Sequence, residues 1–197
     1  MAIMQRINLN YDWYYKSDYN EKYLENSFDD SGFELVNIPH SNKILDYNNF
    51  DESEYQFVSC YRKKVYIADQ LKGKALLLKF EGVSSYAEIY LNGNFIGEHS
   101  GGYTPFVFDI SDKVQYGQYN LLVIVCDSTE REDIPPFGKV IDYLVYGGIY
   151  REVWLEVREK TYIKDVFIRT YDVLVPEKTL DIDIELSQVC QGMYVEF

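Results

Sequence analysis

The side chains here with chemistry to offer are two histidines, three cysteines, 32 acidic residues and 20 tyrosines, spread over 197 residues. Histidine titrates near neutrality, so His40 and His99 each have the residue type of a general base. Neither is accompanied by a Ser or Cys nucleophile motif, they are not spaced as a metal pair, and no third ligand presents itself. His99, beside Gly101-Gly102, and His40, after Pro39, are therefore read as residues that fix loop hydrogen bonds. Cys60, Cys126 and Cys190 are odd in number, far apart and without ligand spacing, which argues against a disulfide framework or a zinc site and predicts reduced, mostly buried thiols. The carboxylates are too many for any acid and base pair to stand out.

Short strands must position these groups. Asn92-Gly93 lies between two runs of high β propensity, and a two-residue Asn-Gly loop suits a type I′ hairpin because both residues tolerate positive φ. Closing there predicts Leu91 opposite Asn94, Ile89 opposite Ile96 and Tyr90 opposite Phe95. Gly101-Gly102 then bends the chain before Tyr103 to Ile110 resumes it. Phe57–Ala68 and Ala75–Phe80 read as strands around the Gly73 turn. Asn120–Cys126 is an apolar, β-branched run suited to burial on both faces. Pro135-Pro136 and Gly138 cannot continue a ladder, so an irregular excursion is expected over Glu130–Leu144, ahead of a strand at Ile149–Val157. Ile7–Asn49, rich in Tyr, Asn and Asp, should be sparse in regular structure. Tyr162–Thr170 and the strictly alternating Leu180–Leu186, either side of a turn at Pro176-Glu177-Lys178, predict two or three further strands. Many short strands, turn signals between them and no sustained 3.6-residue period make the fold all-β, a sandwich.

The residues Asn92-Gly93, Gly97, His99, Gly101-Gly102-Tyr103-Thr104-Pro105-Phe106 and Phe108-Asp109-Ile110 resemble the N-terminal sugar-binding domain of glycoside hydrolase family 2, the family of β-galactosidases, β-glucuronidases and β-mannosidases. Asn37-Ile38-Pro39-His40, Phe80-Glu81-Gly82-Val83 and Tyr146-Gly147-Gly148-Ile149-Tyr150-Arg151-Glu152-Val153 agree with that family in the same order, over Arg6 to Val157. The resemblance implies a jelly-roll, galactose-binding-like sandwich over residues 1–158 and the incomplete start of an immunoglobulin-like sandwich over residues 159–197, since a whole one takes about 100 residues. It also implies that both catalytic glutamates lie in a (β/α)8 barrel further along, which takes about 250 residues. No nucleophile or acid is assigned here. One site residue carries over by position: an aspartate shortly before the Gly-Ile segment that, in this family, reaches the barrel mouth to contact sugar hydroxyls and in some members helps hold sodium. Asp142 stands at that place. A carboxylate suits the role because it accepts charge-assisted bonds from neighbouring hydroxyls. The asparagine that family β-galactosidases send from an early loop has Asn48 and Asn49 as candidates, against the alternative of a simple turn.

The formal net charge of −13 argues against partners such as nucleic acid or anionic membrane. No apolar leader or membrane-spanning run is found, which makes the cytoplasm the default. Most tyrosines are read as sheet and core residues rather than sugar-stacking platforms. Two functions of different class remain: the non-catalytic N-terminal portion of a retaining exo-glycosidase, foremost a β-galactosidase, and a free-standing carbohydrate-binding module. A structural or adhesion sandwich is a third, and would need neither Asp142 nor its loop. The unfinished second sandwich favours the first reading, as an independent module should not end on an unpaired partial sheet. No cofactor is expected in this stretch; the resemblance implies magnesium or sodium in the full-length enzyme. The expected partners are a β-glycoside substrate and further copies of the chain in a homo-oligomer.

Overall fold

The computed structural model describes residues 4–46, 48, 51–135, 145–189, 191–192 and 194. Twelve strands follow in order: β1 (Gln5–Asn8), β2 (Trp13–Lys16), β3 (Glu34–Val36), β4 (Val58–Ile67), β5 (Ala75–Phe80), β6 (Tyr86–Leu91), β7 (Asn94–Ser100), β8 (Phe106–Asp109), β9 (Gln118–Asp127), β10 (Val153–Arg158), β11 (Ile163–Tyr171) and β12 (Thr179–Leu186). A four-stranded sheet in the order β1-β10-β5-β8 faces a six-stranded sheet in the order β3-β2-β4-β9-β6-β7, and β11 and β12 form a third sheet of their own. The fold is all-β, as the turn spacing implies.

Alternation explains the sandwich. Leu76, Leu78 and Phe80 of β5 and Val153, Leu155 and Val157 of β10 turn to the same interior as Ile89 and Leu91 of β6 and Leu122, Ile124 and Cys126 of β9. Burying each large apolar side chain among them contributes about 1.5–3 kcal/mol. The other face of β9 is covered too: Leu121 and Val123 join Cys60 in a second cluster under Tyr19, Tyr23, Leu24 and Phe33. The segment between β2 and β3 thus caps the outer face of the six-stranded sheet, and this is why Asn120–Cys126 is apolar at consecutive positions.

At the hairpin, Asn92 (φ 51°) and Gly93 (φ 78°) take the positive φ expected of them. Leu91 faces Asn94 and Tyr90 faces Phe95, but Ile89 faces Gly97 rather than Ile96. The register shifts by one residue because Phe108 of β8 lies against this point: a Cβ on Gly97 would come within 2.4 Å of its ring. A bulge at Ile96 brings the residue without a side chain to that position. The last strand of the four-stranded sheet also begins later than Ile149. The backbone of the 147–152 stretch is spent elsewhere, since His40 N donates to Ile149 O (2.8 Å) and Gly148 exchanges bonds with Ser84 (3.0 and 3.3 Å).

Cys60 and Cys126 are free and buried, and burial pushes their thiols up to about 12 and about 11. Neither thiolate forms near neutrality, so neither is a nucleophile. Cys190 lies outside the described residues. No helix among the described residues is long and apolar enough to cross a membrane.

Candidate functional site

Six connections meet at one end of the sandwich. They are the link between β1 and β2, the segment after β3, the approach to β4, the turn into β6, the exit from β9 and the return into β10. Ile38 N donates to Asn10 O (2.7 Å), Asn42 N to Gly147 O (3.0 Å) and Ser128 N to Phe57 O (3.2 Å). Side chains fill the gaps between these backbone bonds. Tyr15 Oη donates to Asn42 O (2.7 Å), Asn42 Nδ2 to Tyr55 O (2.7 Å), and Ser128 Oγ to Ser84 O (2.8 Å). Polar backbone held away from water must be paired in this way.

His40 lies inside this network, its Nδ1 2.9 Å from Tyr61 Oη and its ring 4.7 Å from that of Tyr15. Burial holds its pKa below the ordinary histidine value, and burial likewise pushes the Tyr61 phenol well up. Both groups are therefore neutral at physiological pH. Gly148 closes over them with φ +98°, and a Cβ there would lie 2.6 Å from Tyr61 Oη and 2.8 Å from His40 O. Only glycine fits that backbone and that space. His40 is a half-buried structural histidine. His99 fixes its loop instead, with Nε2 3.0 Å from Thr104 Oγ1 and its ring stacked 4.3 Å from Phe106.

The described carboxylates with strong environments are already engaged. Glu156 is buried between Arg6 (2.9 Å) and Arg158, whose hydrogen bond and charge outweigh desolvation and hold its pKa below the usual value. An ion-paired, ionised carboxylate is a poor proton donor. Glu88 and Glu98 face each other across β6 and β7, where Tyr90 Oη donates to Glu88 (2.7 Å) and Tyr86 Oη to Glu98 (2.7 Å). No group of three or more His, Cys, Asp or Glu side chains among the described residues is placed to hold a metal ion.

Of the sequence-derived site residues, Asp142 and Asn49 lie outside the described residues. Asn48 is exposed, in the connection between Asn42 and Tyr55. That connection and the one carrying Asp142 are rooted in the network just described: Asn42 and Tyr55 flank Asn48 on either side, and Gly147 follows Asp142. Asn42, Tyr55 and Ser128 were not singled out by sequence reasoning. The adjacent Gly147-Gly148 was the one available signal, since tight glycines imply close neighbours.

The sequence model described as "Glycosyl hydrolases family 2, sugar binding domain" matches residues 17–158. The chain belongs to glycosyl hydrolase family 2. It is 48% identical over 163 residues to a β-galactosidase of Thermoanaerobacter pseudethanolicus, a match covering 82% of this chain and 22% of that protein. It is 46% identical over 184 residues to a β-galactosidase of Thermoanaerobacterium thermosulfurigenes, covering 93% and 26%. A β-glucuronidase of Bacteroides fragilis is 39% identical over 128 residues, covering 65% and 18%. Among solved structures, a Bacteroides uniformis β-glucuronidase superposes with a TM-score of 0.78 at 27% identity, covering 93% of this chain and 22% of that one. The chain thus spans about a quarter of the β-galactosidases it matches.

Proposed function

We propose that this chain is the N-terminal, non-catalytic portion of a retaining family 2 exo-glycosidase that hydrolyses terminal β-D-galactosides, and that it helps shape the sugar site of a catalytic barrel. The observation that carries the substrate is the ordering of identities, 46–48% to two β-galactosidases against 39% to a β-glucuronidase. Asp142, with Asn48 or Asn49, contacts sugar hydroxyls in this reading. The free, buried thiols at Cys60 and Cys126 suit a reducing compartment, the cytoplasm. The full-length enzyme should turn over nitrophenyl β-galactoside at a kcat/KM at least tenfold above that for the β-glucuronide, and residues 1–197 alone should turn over neither. The reverse preference would move the assignment to a β-glucuronidase, the second reading that the Bacteroides relatives support. Turnover by the isolated chain, abolished by mutating one of its own carboxylates, would sink the non-catalytic role.

We place residues 159–197 in a second unit. Val166 pairs with Ile184 and Ile168 with Ile182 across β11 and β12, so these apolar side chains share one face. Val166 is 44% and Ile168 55% exposed, and no described strand pairs with either edge of the hairpin. Two strands are marginal alone, and an open apolar sheet favours pairing with another copy. Sedimentation should therefore find residues 1–197 self-associated and residues 1–158 monomeric; monomers in both at high concentration would remove the case for self-pairing.

A further inference from the structure

We propose that Asn92-Gly93 is a modification site: a deamidation site that the folded hairpin keeps unreactive, and whose conversion loosens the hairpin from β9. It is the one Asn-Gly step in the 197 residues. Glycine has no Cβ to shield its backbone nitrogen, so this step is where a side-chain amide is most open to attack by its own main chain. In that reaction Gly93 N loses its proton and bonds to Asn92 Cγ, the Cγ–Nδ2 bond breaks, and ammonia carries the proton away. Water, the only co-reactant, then opens the five-membered imide at either carbonyl, leaving an aspartyl or an isoaspartyl link. Water can reach the step, since Gly93 is exposed and Asn92 half-buried.

The fold withholds the amide. Asn92 extends the β6–β9 ladder one rung beyond its last pair, Leu91 with Leu122. Its N–H donates to Leu121 O (2.8 Å) and its Oδ1 accepts from Leu121 N (2.9 Å), so a side-chain oxygen stands in for a strand carbonyl. Its Nδ2 donates to Asn120 Oδ1 (2.8 Å), a buried acceptor that also takes Gln115 N (2.7 Å). Asn120 cannot turn its amide round to suit another partner, because its own Nδ2 donates to Gln115 O (2.8 Å) and Gln118 O (3.3 Å). Both polar atoms of the Asn92 amide are thus fixed to β9. Closing the imide ring swings Cγ onto Gly93 N and breaks both bonds, so reaction proceeds only from molecules whose hairpin end has opened, at a rate set by their population.

Conversion is not silent. In an aspartyl product the oxygen that replaces Nδ2 meets Asn120 Oδ1, a charged acceptor against a second acceptor where a hydrogen bond stood. An isoaspartyl link adds a backbone carbon and ends the two-residue turn as well. β7 is an edge strand of the six-stranded sheet, so the hairpin is held to the sheet through β6 and β9, and loosening that end uncovers the buried Leu91 and Leu122.

The test follows Asn92 in the full-length enzyme by peptide mass mapping at mildly alkaline pH, natively and in urea, with hydrogen exchange at the Leu121 amide in parallel. Conversion should be at least about tenfold slower natively than in urea, and the slowing should track the protection of Leu121 N–H, because one opening governs both. Asn120→Ala removes the acceptor of Nδ2 and should speed native conversion about tenfold. Asn92→Asp, which imitates the product, should lower the protection of Leu121 about tenfold at neutral pH. Where Asn120→Ala fails to fold, the urea comparison and the exchange of Asn92→Asp still decide the matter. Equal rates natively and in urea, or an unaltered native rate in folded Asn120→Ala, would refute the protection. Wild-type protection of Leu121 in Asn92→Asp would refute the loosening, and no conversion in either condition would remove the site altogether.

Discussion

Replacing Arg62 with alanine should cost about 3–5 kcal/mol of folding stability, the range for breaking a buried charged cluster by removing one member. The guanidinium is fully buried on the outer face of β4, beneath the segment between β2 and β3. It donates to the carbonyls of Tyr23 and Glu25, lies 3.4 Å from Asp30, and sits 5.4 Å from the Phe28 ring centroid and 5.9 Å from that of Phe33. Alanine would strand the Tyr23 carbonyl and a mostly buried carboxylate, would leave the Glu25 carbonyl with only its bond from Phe28 N (3.2 Å), and would open a void among the aromatic rings that cover Leu121 and Val123. Lysine should rescue little, because a single ammonium cannot reproduce the planar fork. Methionine should recover more, since it refills the volume. Urea unfolding of the four proteins decides it: a loss below about 1 kcal/mol for alanine would mean that the segment is held by its aromatic packing alone.

Neither Arg62 nor Asn42 could be read from the sequence, and the reason is the same for both. Their partners are backbone carbonyls of distant segments, and a carbonyl is present at every position, so nothing in the local pattern marks which one is used. The strands were legible because alternation is local: Tyr61, Val65 and Ile67 belong to the core as the pattern of β4 requires. The consecutive apolar residues of β9 announced two buried faces, although not that a loop rather than a second sheet covers one of them. Where the reading slipped, a tertiary contact intervened. Phe108 over Gly97 inserted a bulge into an otherwise regular hairpin, and the bonds of Gly148 and Ile149 to Ser84 and His40 delayed β10. The family was legible because its glycines and aromatics recur at fixed places. Asp142, Asn48 and Asn49 could be put forward as sugar contacts only through that family, since a carboxylate on a loop has no local signature of its role.

The second large effect falls on catalysis. In the full-length enzyme, Asp142→Asn should lower kcat/KM about ten- to a hundredfold, equivalent to about 1.5–3 kcal/mol of lost charge-assisted bonding, with the unfolding midpoint unchanged. Asp142 lies between two anchored points. Ile134 is 4% exposed and bridges to Arg131, and Gly147 is tied to Asn42. A residue between fixed ends can be presented to a neighbouring domain without contributing to the core, and its removal should therefore be felt in turnover rather than in folding. A carboxylate offers two charged acceptor oxygens to adjacent sugar hydroxyls; the amide keeps one neutral acceptor and turns the other position into a donor. The loss should be smaller on an aglycone-matched substrate lacking the contacted hydroxyl, because the wild type then has nothing to lose there. Equal losses on both substrates would point to a displaced loop instead of a missing contact, and unaltered kinetics would leave Asp142 a solvated loop aspartate.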